Sequence, residues 1–575
     1  MHKNRQKSPK NRRINAFIIF IFIFVALIVL RLFDLQILKY KYYQALASGQ
    51  HQIFEEITPS RGEIYIKDRF SKELYPLALN KKLNLIFAVP NQIEDKKEFV
   101  QKLAPLLEIK EKELEKKLSS GSSLYAPLKH KVSDEIAEKI KALNLKGIYF
   151  QKESWRFYPD KEFAAQVLGF VGFENDKQKG FYGIEGYYDG ILRGKEGHFF
   201  GEKDALGKLT LIGSKFMEKA EDGASVVLTL DRLLQFQAEK AIAEGAQRYG
   251  ADRGCAVVID PKTGEILAMA IYPTFDPNKY YEVKNMEVFR NSIIYDLYEP
   301  GSVIKPLVMA VALDLGLVSP QTKVLDRGEI KVDKFAIRNF DGKANGEVTM
   351  TKVLEQSINV GMVQVGQMVG KKRLYEYFDK FGFLNLSGVD LDSEMPSRIK
   401  SYDLWANSDL ATASFGQGFS INALQLASAY TAIANSGKLI MPHIVEKIVY
   451  PSGREEIVRP QESQQIISSS TASTLSAMLT SVVENGQAAL AKVPGYQIAG
   501  KGGTAQVPKP DSIGYDPSKR ITSFVGFGPV EDPKFVILVK LDNPKGNVFG
   551  VETAGPVFAK LAQDLLQYYQ VPPSE

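Results

Sequence analysis

The stretch INAFIIFIFIFVALIVL, Ile14 to Leu30, is apolar except for Asn15, and a run of this kind cannot be left in water. With the following RLFDLQIL it reaches the roughly 20 residues that a bilayer crossing requires. Six basic residues precede it: Lys3, Arg5, Lys7, Lys10, Arg12 and Arg13. The ALA at Ala45 to Ala47 imitates a signal-peptidase site. It lies about 15 residues past the apolar run, with Arg31, Asp34, Lys39 and Lys41 between, whereas a cleavage site follows the run closely. The expectation is therefore a cytoplasmic basic tail over 1–13 and an uncleaved single-pass anchor over 14–38. Basic residues stay on the cytoplasmic side, so everything beyond is outside.

A chain of 575 residues is too long for one ordinary core. Its 45% hydrophobic and 24% charged residues are those of a folded protein. The net charge of +6 is concentrated in the N-terminal tail, so the remainder is nearly neutral. Nucleic-acid binding, which needs clustered Lys and Arg on a folded domain, is excluded on that ground. Cys255 is the single cysteine, so no intrachain disulfide is possible, and in GCAVVID it reads as a small packed apolar residue. The five histidines show no ligand spacing, and no metal site or cofactor is expected.

Residues 39–221 read as a mixed α/β region. LNLIFAVP is strand-like, while KKEFVQKLAPLLEI and VSDEIAEKIKALNL carry helical apolar spacing. No nucleophile, base and acceptor gather there, which suits a spacer or partner-binding module. Residues 222–575 begin with a strand leading into a helix that Asp231 is placed to cap. CAVVIDPKTGEILAMAIYP follows as two β-rich runs around a turn. ITSFVGFGPV and KFVILVKLDNP read as sheet strands, and GPVFAKLAQDLLQYYQ as a closing helix. The expected fold class is α/β (α+β), with an antiparallel sheet flanked by helices in the second region.

Three short patterns carry candidate chemistry. In EPGSVIKPLVM, Ser302 and Lys305 are three residues apart and share one helical face, and Pro306 fits only near a helix start. In LEQSINVGM, Ser357 is a candidate proton relay and Asn359 a candidate amide-binding group. In IAGKGGTAQ, Lys501 sits in a Gly-rich strand that lets a ligand approach the backbone. Each pattern has a decoy. Ser397 to Lys400 repeats S-x-x-K in a polar stretch, Ser420 to Asn422 repeats S-I-N before a helix, and Lys262-Thr263-Gly264 sits in the predicted turn.

The order Ser302-x-x-Lys305, Ser357-x-Asn359, Lys501-Gly502-Gly503-Thr504 resembles the serine–lysine acyltransferases that include penicillin-binding proteins and class A β-lactamases. RGEIYIKDR, RFYP, AAQVLGFVG and YGIEGYYDGILRGKEG are similar to the non-catalytic region of class B penicillin-binding proteins. YEPGSVIKP and ASFGQGFSINALQLASAYTAIANSG are similar to their transpeptidase domain, and closer to the division-specific than to the elongation type. The resemblance implies a serine β-lactamase-like catalytic domain over 222–575, a pedestal or dimerisation domain over 39–221, and a bacterial cell-membrane location with the catalytic domain outside.

It further implies that Ser302 attacks the penultimate D-Ala carbonyl of a peptidoglycan stem peptide, with Lys305 as base and Ser357 returning the proton. Asn359, Lys501, Gly503 and Thr504 bind substrate, and β-lactams acylate Ser302. The implied partner is a membrane glycosyltransferase of the shape, elongation, division and sporulation type, alongside other division proteins. A glycosyltransferase within this chain is not expected, because the region before the catalytic domain is too short for one. The family usually has Thr or Ser where this chain has Gly502. The expectation is weakened recognition of the terminal carboxylate, partly restored by Gly502→Thr. Alternatives are an elongation-type enzyme, a D,D-carboxypeptidase and a catalytically weak scaffold that binds division partners.

Overall fold

The computed structural model describes residues 9–33, 36–37, 52–71, 73–120, 125–175, 177–202, 216–458, 463–509, 514–546 and 549–573. Lys3, Arg5, Lys7 and the ALA at 45–47 lie outside the described residues. The chain divides into two units, one of residues 1–59 and 194–222 and the other of 60–193 and 223–575.

The first unit contains the helix Pro9–Phe33 and a three-stranded antiparallel sheet of Gln52–Ile57, Gly197–Glu202 and Phe216–Glu218. From Phe17 to Phe33 the large apolar side chains of the helix are exposed on every side. Among the described residues no helix is long and apolar enough to cross a membrane, the side chains of this one being described only from Phe17.

In the second unit, the long strand Leu74–Ala88 pairs antiparallel with Ile64–Lys67, Ala126–Val132 and Ile148–Phe157. The helix Lys96–Leu107 begins where the Asp95 carboxylate accepts from the backbone N–H groups of Lys97 and Glu98 at 2.9 and 3.1 Å. Its Phe99, Leu103 and Leu107 are buried with Ile86 and Leu128 of the sheet. The motifs RGE, RFYP and YGIEGYYD converge on one buried network. Glu185 pairs with Arg61 at 2.7 Å and with Arg156 at 2.5 Å, accepts from the Tyr158 hydroxyl at 3.1 Å, and Arg61 also reaches Asp189 at 2.8 Å. Burial alone would raise the Glu185 pKa, but the two guanidiniums outweigh it and hold it below the usual carboxylate value. The strand Ser225–Asp231 pairs in parallel with Ile64–Lys67 and antiparallel with Val445–Val449, so one sheet draws on widely separated parts of the chain.

The remaining elements that position the site are, in chain order, α1 (Arg232–Tyr249), β1 (Arg253–Ile259), β2 (Ile266–Tyr272), α2 (Lys305–Asp314), α3 (Met350–Glu355) and α4 (Asn359–Val369). They continue with α5 (Ala423–Ala434), β3 (Ala499–Pro508), β4 (Tyr515–Gly528), β5 (Phe535–Asp542) and α6 (Gly550–Tyr568). Asp231 caps α1 by accepting from the N–H groups of Leu233 and Leu234. The five strands form an antiparallel sheet in the order β2-β1-β5-β4-β3. β5 is buried along its whole length because α1 and α6 cover one face of the sheet and α5 the other. α5 is buried all round; its polar Gln425 and Thr431 side chains donate to the backbone carbonyls of Asn385 and Ser428. β3 stands at the sheet edge.

Two decoys resolve here. Lys262-Thr263-Gly264 forms the turn between β1 and β2, with Gly264 at φ +77° and Lys262 ion-paired to Asp532 at the surface. The second S-I-N starts α5, where Asn422 Oδ1 accepts from the Gln425 N–H at 2.8 Å. Cys255 is buried in β1, and burial pushes its thiol up to about 12, which leaves it unreactive.

Candidate active site

Ser302 lies in a 3-10 turn, Gly301–Ile304, that runs directly into α2. With three residues per turn, this geometry brings residues 302 and 305 to the same side. The turn packs against β3. A Cβ built on Gly503 would lie 3.0 Å from Val303 Cγ1 and 3.2 Å from the Pro300 carbonyl oxygen, so a side chain there would crowd the turn. A second loop straps the turn from the other side. Gly301 N–H donates to the Gly416 carbonyl at 2.9 Å, and Gly416 adopts φ +89°. A side chain at 416 would come within 2.0 Å of the Gly301 carbonyl oxygen.

Lys305 is 0% exposed. Its amine reaches the Ser357 carbonyl oxygen at 2.6 Å, the Ser357 Oγ at 3.1 Å and Asn359 Oδ1 at 2.8 Å. The sequence expectation paired this amine with the Ser302 hydroxyl. Instead, all three hydrogen-bond partners come from S-I-N, because that segment offers three oxygens to a group with at most three protons. Among the described residues the half-buried Ser302 hydroxyl has no hydrogen bond. Burial, with a smaller contribution from the charge of Lys501, takes the Lys305 pKa well below its ordinary value. A buried amine without a carboxylate partner favours its neutral form.

S-I-N occupies the turn between α3 and α4. Ser357 is buried and adopts φ +56°, a left-handed conformation that costs a non-glycine residue about 1–3 kcal/mol. Asn359 opens α4 and donates from Nδ2 to the Arg338 carbonyl at 3.0 Å, which leaves Oδ1 turned to Lys305. The next residue, Val360, donates its N–H to Asn339 Oδ1 at 3.1 Å, a cap borrowed from the same neighbouring loop.

Lys501 is 2% exposed, its amine reaches only the Gly502 carbonyl among the described residues, at 3.2 Å, and burial lowers its pKa to about 8. Strand alternation divides K-G-G-T between two faces. Gly503 faces the Ser302 turn, and Gly502 and Thr504 face the start of α6. Thr504 Oγ1 accepts from the Gly550 N–H at 3.0 Å, so its own proton remains available to donate.

Gly502 departs from the expectation. A Cβ there would lie 2.4 Å from Val551 Cγ1 and 3.2 Å from Val551 N. The space of the missing side chain is already filled, so Gly502→Thr alone must displace Val551 and is not expected to restore carboxylate recognition.

Ser302, Lys305, Ser357, Asn359, Lys501, Gly503 and Thr504 therefore gather between β3 and the α3–α4 turn. Ser397 does not join them; its hydroxyl donates to the Phe383 carbonyl. Two participants were missed from sequence. Glu299 is a buried carboxylate that accepts from the Gly418 N–H at 3.0 Å and the Tyr515 hydroxyl at 3.0 Å, and burial raises its pKa. Its only signal was its place three residues before Ser302. Val551 had no signal at all.

The chain matches the family "Penicillin binding protein transpeptidase domain" over residues 254–563 and "Penicillin-binding Protein dimerisation domain" over 56–228. It is 34% identical over 521 residues to stage V sporulation protein D of Bacillus subtilis, covering 90% of this chain and 79% of that protein. It is 30% identical over 579 residues to a peptidoglycan D,D-transpeptidase FtsI homolog of Mesostigma viride, covering 96% and 94%. Penicillin-binding protein 3 of Mycobacterium tuberculosis, crystallised with aztreonam, superimposes with a TM-score of 0.70 at 27% identity, covering 91% of this chain and 98% of that one. A buried lysine between two serines and an edge strand is what a serine acyltransferase requires, and with matches of this extent the chain belongs to the class B penicillin-binding proteins, as a peptidoglycan D,D-transpeptidase.

Proposed function

We propose that Ser302 is the nucleophile of this transpeptidase and that the amine of Lys305 is its base. The observation that carries this reading is the fully buried, charge-disfavouring position of Lys305 between Ser357 and Asn359, three residues after a free serine hydroxyl. The carbonyls of Ser357 and Asn359 can only accept, so a neutral amine donates its two protons to them and keeps a lone pair. That lone pair takes the Ser302 proton as Oγ bonds to the penultimate D-Ala carbonyl carbon. Backbone N–H groups of Ser302 and Thr504 hold the oxyanion. As the bond to the terminal D-Ala breaks, Lys305 returns the proton through the Ser357 hydroxyl to the departing amine. An amine of a second stem peptide then attacks the ester, forms the cross-link and restores the Ser302 hydroxyl.

The outer edge of β3 has no strand beside it in its sheet and suits a substrate added as an extra strand. The Asn359 amide positions the acyl chain, and Lys501 with the Thr504 hydroxyl meets the terminal carboxylate. β-Lactams acylate Ser302 by the same first step. Labelling with fluorescent penicillin followed by peptide mapping is expected to mark Ser302, and Ser302→Ala is expected to abolish the label. A label that survives this substitution overturns the assignment.

Residues 39–221 act as the pedestal and 222–575 as the catalytic domain. The helix Pro9–Phe33, about 37 Å long at 1.5 Å per residue, anchors the chain, with the basic residues on the cytoplasmic side. Its support is the exposed apolar surface from Phe17 to Phe33. The work is placed in septal wall synthesis, with a membrane glycosyltransferase of the shape, elongation, division and sporulation type as partner. The septal role rests on the likeness of YEPGSVIKP and ASFGQGFSINALQLASAYTAIANSG to the division-specific type. A fluorescent fusion in growing cells is expected to collect in the membrane at septa. Diffuse signal overturns the anchor, and signal along the lateral wall overturns the septal role.

A further inference from the structure

We propose that Val551, at the start of α6, bars a side chain from position 502 by occupying the volume it would take, so that this face of the site meets the terminal group of the acyl donor with the single hydroxyl of Thr504. The inference rests on the acyl-transfer reading above. Residues 502 and 551 compete for one space: a Cβ at 502 would lie 2.4 Å from Val551 Cγ1, 3.2 Å from Val551 N and 3.6 Å from Phe524 Cδ2. Val551 is half-buried against the core and β-branched, so its side chain has little rotameric freedom. The backbone that carries it cannot withdraw either. Gly550 donates its N–H to Thr504 Oγ1 at 3.0 Å, and Gly550 is packed so closely on β3 that a Cβ there would lie 2.1 Å from the Gly503 carbonyl oxygen.

The α6-facing side of β3 therefore presents one hydroxyl, that of Thr504, beside the methyl groups of Val551. With its oxygen engaged by Gly550, the Thr504 hydroxyl has a proton to give to an anion, and the N-terminus of the 19-residue α6 favours negative charge there. A terminal carboxylate meets one charge-assisted donor where a hydroxyl at 502 would supply a second. The site accordingly discriminates less against acyl donors whose terminal carboxyl group is uncharged, such as a carboxamide. Position 551 controls this, because it decides whether 502 can carry a side chain.

The test uses the full chain in detergent and a pair of thioester acyl donors that differ only in a terminal carboxylate or carboxamide. The ratio of their kcat/KM values is compared among wild type, Gly502→Thr, Val551→Ala and the double variant, each with its Tm. The double variant is expected to raise the preference for the carboxylate about tenfold or more, the effect of one added hydrogen bond to a charged group. Val551→Ala is expected to leave the ratio within about twofold, and Gly502→Thr to lower Tm. A double variant with the wild-type ratio, or a Gly502→Thr protein with unchanged Tm and a raised ratio, overturns the proposal. Penicillin labelling of wild-type Ser302 is the control: its failure rejects the acyl-transfer reading itself, whatever the ratios show.

Discussion

Lys305 and Lys501 are two amines buried without a carboxylate partner among the described residues, and on the proposed mechanism their titration shapes the pH dependence of acylation. If Lys305 is the base, as proposed, it works as a neutral amine, and acylation by penicillin is expected to rise with pH through its depressed pKa. Lys501 contributes its positive charge to anion binding and loses it near its lowered value of about 8, so the rate is expected to fall above that pH. Substituting Lys501 by Met removes a positive neighbour, raises the Lys305 pKa and moves the ascending limb to higher pH. Stopped-flow acylation measured from pH 5 to 10 checks both limbs, and a rate that stays level between pH 7 and 10 contradicts the role given to Lys501. The residue types were legible from sequence because S-x-x-K, S-x-N and K-x-G-T are spaced along the chain in a fixed order. The hydrogen bonds were not. That Lys305 is held by Ser357 and Asn359, and Ser357 at φ +56°, depends on a turn formed 52 residues further along the chain.

At the scale of elements, the turn that carries Ser302 is held by pieces distant in sequence. Glu299 ties it to the Gly418 backbone and to Tyr515 at the start of β4, whose partner strand β3 carries Lys501 and Thr504. Glu299→Ala removes both bonds and is expected to slow Ser302 acylation at least tenfold, on the basis of about 1.5–3 kcal/mol for a hydrogen bond to a charged group. Glu299→Gln retains an acceptor oxygen and is expected to recover part of the rate. An alanine variant with wild-type acylation shows that the strap is dispensable. The strands and helices themselves were largely legible: Asp231 caps α1, and the runs read as β4, β5 and α6 form those elements. The reach of α6 back onto Gly502 was not, because a helix start gives no sign of which distant glycine it covers.

For the whole molecule, the Arg61, Arg156 and Glu185 network binds three pedestal motifs, and the Tyr188 hydroxyl donates to Asp390 at 3.1 Å while Asp390 also accepts from Ile444 and Val445. Glu185→Ala leaves the buried Arg156 guanidinium without a carboxylate and Arg61 with Asp189 alone, and is expected to cost about 3–5 kcal/mol, read as a fall in Tm. Because its folded pKa lies below the unfolded value of 4.5, the stability Glu185 adds is complete above about pH 4.5. It is lost as pH falls through the folded pKa. An unchanged Tm in the variant at pH 7 contradicts this account.

The sequence by itself determined the class of chemistry, the order of the catalytic groups and the elements that carry them, because short spacings, caps and apolar periodicity are local properties of the chain. Only the tertiary structure decided which oxygens hold Lys305, that Glu299 straps the Ser302 turn, and that Gly502 is a glycine in the space of Val551. Each of these depends on distances between residues far apart in the chain, which are set when the sheet and its helices pack together.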